Sequence, residues 1–220
     1  VFFAATVYHE PGTVFMYNTC GTGILGEVIR IKTGMSLNDY LSEKLFCKLG
    51  INTENIHWLR GQGGHEIGGG GMLATTEDNL RLMDLYRQGG IWEGERLLAE
   101  DFVQMATTKQ IDTYDAMTNG PLAKDHLLGY GFQMWMCQAE GAFRSDGAWG
   151  QYGIVFPKQD MIISFNETGA QDDNGTQRPL DAVYTILDKL SDDPLPENPV
   201  ACAHLRYRLS HLAIERPEYH

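Results

Sequence analysis

The sequence predicts an α+β fold, and three observations carry that prediction. Apolar residues recur every three or four positions in several segments between Ile24 and Met105, which is helical spacing. After residue 130 the period changes to two, the spacing of strands. Helical spacing then returns from Pro179 to Leu190. Helices first, an antiparallel sheet later and a closing helix make α+β rather than a βαβ series.

Taken in order, residues 1–19 read as irregular or extended chain, with a turn signal at Pro11-Gly12. Ile24, Leu25, Val28 and Ile31 form the first helical stripe, and Gly34 stands where a glycine cap ends a helix. Ser36 and Asp39 have capping-box spacing and open a second helix whose face is Leu37, Tyr40, Leu41 and Leu45. The glycine-rich run from Gly61 to Gly71 is a loop that passes close to other backbone or turns sharply. Thr75 and Asp78 open a third helix that stops at Gly89-Gly90, and Leu98 to Met105 reads as a short fourth one. Residues 107–128 read as a long polar connection. Tyr130, Phe132, Met134 and Met136 alternate as a strand, and two further strands, Tyr152 to Phe156 and Met161 to Phe165, flank a turn at residues 157–160. Residues 1–191 form the main domain. Residues 192–220 are a tail, with a linker spaced by Pro194, Pro196 and Pro199 and a short amphipathic helix over Leu205 to Ile214.

Composition narrows the function. The 220 residues are 43% hydrophobic and 21% charged, with a net charge of −12, an ordinary globular balance. An acidic chain without clustered Lys and Arg does not present a nucleic-acid surface. No apolar run reaches the ~20 residues of a membrane-spanning helix. Val1 to Val7 lacks the basic flank and cleavage site of a signal peptide. The cysteines Cys20, Cys47, Cys137 and Cys202 are scattered, which suits free thiols and leaves the compartment open.

Three motif matches are set aside on physical grounds. Gly21-x-Gly23-x-x-Gly26 fits a dinucleotide fingerprint but is followed by a second helix instead of the strand that carries the ribose-binding acid. Lys32-Thr33-Gly34 closes a helix, whereas K-T-G chemistry needs a strand. His65-Glu66 has Gly69 where a zinc motif needs its second histidine. No cofactor or metal is therefore expected. None of the six serines has a lysine three residues on.

Several phrases in order do form a pattern. They are Pro11-Gly-Thr-Val-Phe-Met-Tyr17-Asn18-Thr19, Thr33-Gly34 before Tyr40-Leu41, Leu49-Gly50-Ile51, Gly69-Gly-Gly-Met-Leu-Ala-Thr-Thr-Glu-Asp78, Tyr130-Gly131-Phe132 and Gly147-Ala-Trp-Gly150-Gln151-Tyr152. Together they resemble the serine β-lactamase superfamily, in its class C-like branch of esterases, D-aminopeptidases and 6-aminohexanoate-oligomer-hydrolase-like amidases. The first resembles P-G-x-x-F-x-Y-S-N, and the last two resemble Y-G-x-G-W and G-x-x-G-Q.

The resemblance implies a β-lactamase/transpeptidase-like fold and acyl transfer through a serine ester, on an ester, amide or lactam. Tyr17 takes the place of the proton-handling tyrosine of Y-x-N, and Thr19 stands where the family has Asn, with Asn18 beside it as a substitute. The third motif, K-T-G or H-x-G in relatives, aligns on Ser145-Asp146-Gly147, so Ser145 holds the basic position without a charge. Gly147 lets substrate lie against the strand, the Ala148 N–H is an oxyanion donor, and Trp149 sits at the cleft edge. The S-x-x-K helix and the N-terminal strands have no counterpart, since only sixteen residues precede Tyr17. The expectation is thus a C-terminal portion of such a hydrolase, inactive alone, whose partners are a small-molecule or peptide substrate and a missing N-terminal portion of the same domain. Relatives occupy cytoplasmic, periplasmic and secreted locations. The alternative is a non-catalytic, penicillin-binding-protein-like module that binds peptide or peptidoglycan fragments.

Overall fold

The computed structural model describes residues 4–114, 124–148, 150–167, 177–191 and 193–211. By packing, the chain divides into Val1–Tyr184 and Thr185–His220, a division that falls inside the last helix of the main body.

The local signals set most boundaries. Helix α1, Thr19–Thr33, starts with Asn18 accepting from the Gly21 N–H and ends at Gly34 in the left-handed conformation. Ser36 caps α2, Leu37–Leu41, which continues as a π-helical turn, Ser42–Phe46. Two short strands, β1 (His57–Trp58) and β2 (Met72–Leu73), pair antiparallel around the glycine-rich loop. Helix α3, Thr76–Arg87, has the full capping box: Asp78 N–H donates to the Thr75 hydroxyl, and Thr75 N–H donates to the Asp78 carboxylate at 2.9 Å. Thr75→Ala removes the one hydroxyl that accepts from the Asp78 N–H and donates to the Asp78 carboxylate, and should cost about 1 kcal/mol in urea unfolding. A hairpin of β3 (Ile91–Trp92) and β4 (Glu95–Arg96) follows. It turns on Glu93-Gly94, both at positive φ, a primed-turn signature that the helical stripes around it overshadow in the sequence. Helix α4 is Glu100–Ala106.

The main sheet has four antiparallel strands in sequence order: β5 (Trp135–Met136), β6 (Phe143–Gly147), β7 (Gln151–Phe156) and β8 (Met161–Asn166). The predicted hairpin between β7 and β8 is present, with Pro157–Gln159 as its 3₁₀ turn. The predicted strand over 130–136 is corrected to Trp135–Met136 alone. Gln133 lies at φ 63 and the Gly131 N–H donates to the Met134 carbonyl, so the chain folds back on itself between Tyr130 and Trp135.

Alternation sorts the sheet residues into two faces. Phe143, Ser145, Gly153 and Val155 face α3, where Met83 packs with Phe143, Val155 and Met134. Polar pins fix α3 to the sheet: Asn79 donates to the Tyr152 carbonyl, and the Ser164 hydroxyl donates to the Thr76 carbonyl, both at 3.0 Å. A second core, Phe46, Leu49, Ile51, Ile56 and Leu85, joins α2, its π-helical turn and α3. The opposite sheet face carries Arg144, Asp146, Tyr152, Ile154 and Phe156, and Phe156 meets the Tyr184 ring of α5, Gln177–Leu187.

Asp125, fully buried in a 3₁₀ turn over Lys124–Leu127, ties that turn to α5. It accepts from the Gln138 and Gln177 side-chain amides, at 2.6 and 2.9 Å, and from the Tyr184 hydroxyl. Asp125→Ala strands buried donors on Gln177 and Tyr184. It should cost about 2 kcal/mol in urea, with Asp125→Asn costing less because its carbonyl still accepts.

In the residues after Tyr184, helix α6 is Pro199–Leu209. It begins earlier than the predicted 205–214, because Pro199 is the first helical residue behind an Asn198 cap instead of part of the linker. Its apolar residues Val200, Leu205, Tyr207 and Leu209 are all exposed and fall around the helix, so it is not amphipathic. The end of the predicted tail, residues 212–214, lies outside the described residues. No helix among the described residues is long and apolar enough to cross a membrane.

Candidate active site

Tyr17 leads into α1, and its ring stacks on Trp135, with centroids 5.9 Å apart and planes 8° from parallel. Phe15 and Tyr130 complete the cluster: Phe15 lies 4.9 Å from Tyr130, and Tyr130 meets Trp135 edge-on at 4.7 Å. Phe15, Tyr130 and Trp135 are buried, whereas Tyr17 is half exposed at the cluster's rim. Sequence places these residues far apart, and the turn at Gln133 brings Tyr130 and Trp135 together under Tyr17.

The glycine-rich loop supports the start of α1. A Cβ on Gly69 would stand 2.3 Å from the Thr19 carbonyl oxygen, so only glycine fits beneath Tyr17-Asn18-Thr19. Gly26, the last glycine of the rejected dinucleotide match, meets the Cα of Gly68. It is a packing contact between helix and loop. Lys32-Thr33-Gly34 closes α1, away from any strand.

Behind Trp135 lies a charged group. Arg144 is fully buried, with its Nε 2.7 Å from Asp146 Oδ2, its Nη1 donating to the Met136 carbonyl and its side chain over the Trp135 ring. His126 Nε2 reaches the same Asp146 oxygen at 3.1 Å, and the His126 ring packs 4.2 Å from Trp135. Burial pushes the Asp146 carboxyl up, but the Arg144 charge and the His126 contact outweigh it and hold the group below the usual carboxylate range. Tyr17 moves the other way: burial raises its pKa, and the Asp146 charge raises it further. The phenol is therefore firmly protonated at neutral pH within this chain. Burial likewise raises Tyr130.

The structure brings Tyr17, Asn18 and Thr19 together at the start of α1. Asn18 spends its side-chain oxygen on the helix cap, and Thr19 is the exposed first helical residue. Ser145 is not brought to Tyr17. Its side chain is on the α3 face of β6, where its hydroxyl donates to Met83 Sδ at 3.4 Å. The neighbouring Asp146, on the other face, is the third-motif residue that Tyr17 senses. Gly147 ends β6, and exposed Ala148 follows it in a tight turn closed by Gly150 N–H donating to the Gly147 carbonyl. The Ala148 N–H has no acceptor among the described residues. Trp149 lies outside the described residues. Sequence reasoning missed His126, Arg144 and Trp135, since none belongs to a short motif. Among the described residues, no cluster of His, Cys, Asp or Glu is arranged to hold a metal.

The candidate site thus comprises the phenol of Tyr17, the Ala148 N–H at the end of β6 and the glycine-rich loop, and comparison with known proteins places the chain among relatives. The chain is 24% identical over 164 residues to the 6-aminohexanoate-dimer hydrolase of Paenarthrobacter ureafaciens, covering 73% of this chain and 41% of that protein. A Bacillus anthracis protein assigned as a 6-aminohexanoate-dimer hydrolase superposes with a TM-score of 0.68 at 26% identity, over 85% of this chain and 48% of the other. A penicillin binding protein from Bacillus halodurans, 18% identical, superposes with a TM-score of 0.57 over 81% and 59% of the two chains. The chain thus spans about two-fifths of the curated relative's length and about half that of the first solved one. The fold is the β-lactamase/transpeptidase-like one. Because the Beta-lactamase family model matches residues 2–185, the chain belongs to the beta-lactamase family.

Proposed function

We propose that this chain carries the proton-handling and oxyanion-binding side of a serine acyl-transfer hydrolase, with a nucleophile that its own sequence does not supply. The observation that carries this is Tyr17, fixed on Trp135 with its ring at the surface and its phenol kept protonated by burial and Asp146. In that state Tyr17 donates a proton to a leaving alkoxide or amide. To act first as the base, it needs an ammonium close by to stabilise the phenolate, which is the role of the lysine in S-x-x-K. The Ala148 N–H stabilises the oxyanion of the tetrahedral intermediate, and Gly147 leaves room for substrate along β6. Asn18 and Thr19 face the same substrate from the start of α1.

The substrate is a linear amide or an ester in preference to a lactam. Ser145 offers no cation for a carboxylate, and the 24% identical relative is named for a 6-aminohexanoate dimer. A fluorophosphonate probe applied to protein that includes an S-x-x-K segment should label one serine stoichiometrically. No S-x-x-K in the reading frame, or no labelling when it is present, overturns the catalytic reading. The protonated phenol and the inward-facing Ser145 favour a second reading, a module that binds peptide or peptidoglycan fragments without turnover, and stoichiometric labelling rejects it.

A further inference from the structure

The 3₁₀ turn Lys124–Leu127 sends two neighbouring side chains in different directions, Asp125 to α5 and His126 to Asp146. The turn is fixed at both residues. Besides the side chains that donate to its carboxylate, Asp125 donates its own N–H to Gln177 Oε1 at 2.9 Å and accepts from the Gln138 N–H at 3.2 Å. The buried Thr113 hydroxyl donates to the His126 carbonyl and accepts from the Gly129 N–H at 3.1 Å. A carboxylate without exposed surface is tolerated only when its oxygens are paired, so these bonds hold the turn in one place. That place puts His126 against Asp146 and Trp135, with the His126 and Asp146 side chains only 13% and 11% exposed. One oxygen, Asp146 Oδ2, takes both the Arg144 Nε and the His126 Nε2 contacts. Among the described residues, the charged and titratable groups that meet Asp146 are Arg144 from β6, His126 from the turn, Tyr17 ahead of α1 and Tyr130. None of these contacts depends on a residue outside the chain.

We propose that His126 is a positioning residue for Tyr17: its Nε2–H donates to Asp146 and so limits the negative charge that faces the phenol. An ionised carboxylate only accepts, and Arg144 keeps Asp146 ionised, so the proton of this contact belongs to His126 Nε2. A donor on Oδ2 draws charge away from the rest of the carboxylate. Tyr17 then loses its proton more readily than it would beside Asp146 with Arg144 alone, which is what a base step requires. His126 acts through Asp146 and needs no contact with substrate. Its place in the reaction rests on the acyl-transfer reading, whereas the link from His126 to Tyr17 is a property of this chain alone.

Two variants separate the donor from the ring. His126→Phe keeps an aromatic ring against Trp135 and removes the donor, whereas His126→Gln keeps an N–H at the reach of Nε2 and removes the ring. The 220-residue chain is labelled with 3-fluorotyrosine, whose phenol ionises at lower pH, and titrated by fluorine NMR, with Tyr17→Phe assigning the signal. His126→Phe should move the Tyr17 titration about 0.5–1 pH unit higher, and His126→Gln should leave it near wild type. In an Asp146→Asn background His126→Phe should move it no further, because the group it acts through is gone. In an active protein that contains this chain, His126→Phe should lower kcat about threefold to tenfold, the same difference read as a rate, with KM little changed and His126→Gln restoring most of it. An ammonium near Tyr17 acts on wild type and variant alike, so the difference between them still reports His126. Equal titrations in wild type and His126→Phe, a shift that persists with Asp146→Asn, or His126→Gln behaving as His126→Phe each overturn the proposal. A His126→Phe chain that does not fold gives the residue a structural role and overturns it too. If the titrations come out as expected while fluorophosphonate labelling fails, the link to Tyr17 stands and the hydrolase reading falls; labelling with unchanged titrations decides the reverse.

Discussion

Asp146→Ala should destabilise the main body by about 3–5 kcal/mol, the cost of leaving a buried charge without its partner. Arg144 has no exposed surface, and its partners besides Asp146 are the Met136 carbonyl and Cys137 Sγ. Its Nη2 is already buried without a hydrogen bond, so nothing nearby takes over the charge. Urea unfolding of Asp146→Ala and Asp146→Asn measures the loss, with Asn intermediate because its carbonyl still accepts from Arg144. Replacing both partners, as in Arg144→Met with Asp146→Leu, should recover much of it, since an apolar pair of similar size avoids the desolvation of two ions.

The same pair sets a pH dependence. The folded-state pKa of Asp146 lies below its unfolded value, so its stabilising contribution is complete above the unfolded carboxylate pKa, about 3.9. It is lost as pH falls through the lower folded value. Asp146→Asn should flatten the acid limb of stability below about pH 4, and should also lower the Tyr17 pKa by removing the charge that opposes the phenolate. An acid limb unchanged in Asp146→Asn would separate acid unfolding from this pair.

The second large effect is on turnover. In an active protein that contains this chain, Tyr17→Phe should lower kcat by about 10²–10⁴-fold, the usual contribution of one positioned acid or base. KM should change little. The ring stack on Trp135 needs no hydroxyl, so the variant should unfold at nearly the wild-type urea concentration. A Tyr17→Phe protein with wild-type kcat assigns the proton transfer elsewhere, and one that fails to fold gives Tyr17 a structural role.

How much of this was legible in the sequence depends on distance along the chain. The caps at Asn18, Ser36 and Thr75, the stop at Gly34 and the β7–β8 hairpin are short-range arrangements, in which a side chain bonds a backbone group a few residues away. The strand expected over 130–136 was lost to one residue. Alternating apolar side chains are compatible with an extended chain, and Gln133 carries no sign in its chemistry that its φ is positive. The tail helix starts earlier than its apolar residues suggest because proline, which spaces linkers, is also favoured at a first helical position.

The site shows the same division. Tyr17 and the β6 phrase were found because each belongs to a contiguous pattern that resembles a family. Asp146, in contrast, was read only as the middle of Ser145-Asp146-Gly147, because a sequence does not tell which side of a strand is covered by which layer. His126, Trp135 and Arg144 belong to no phrase, and their relation to Tyr17 exists only after β5, β6 and the 124–127 turn come together.

The sequence by itself determined the α+β class, the family resemblance and Tyr17 as the candidate the resemblance offers for proton handling, since these rest on periodicity and on motifs a few residues long. Tertiary structure alone decided that α3 covers the Ser145 face of β6 and that Asp146, on the other face, is the charge that raises the Tyr17 pKa. It also decided that His126 reaches the same carboxylate. The physical reason is the period of a strand: one step along β6 reverses the direction of the side chain, and packing against α3 determines which of two neighbouring residues reaches the site.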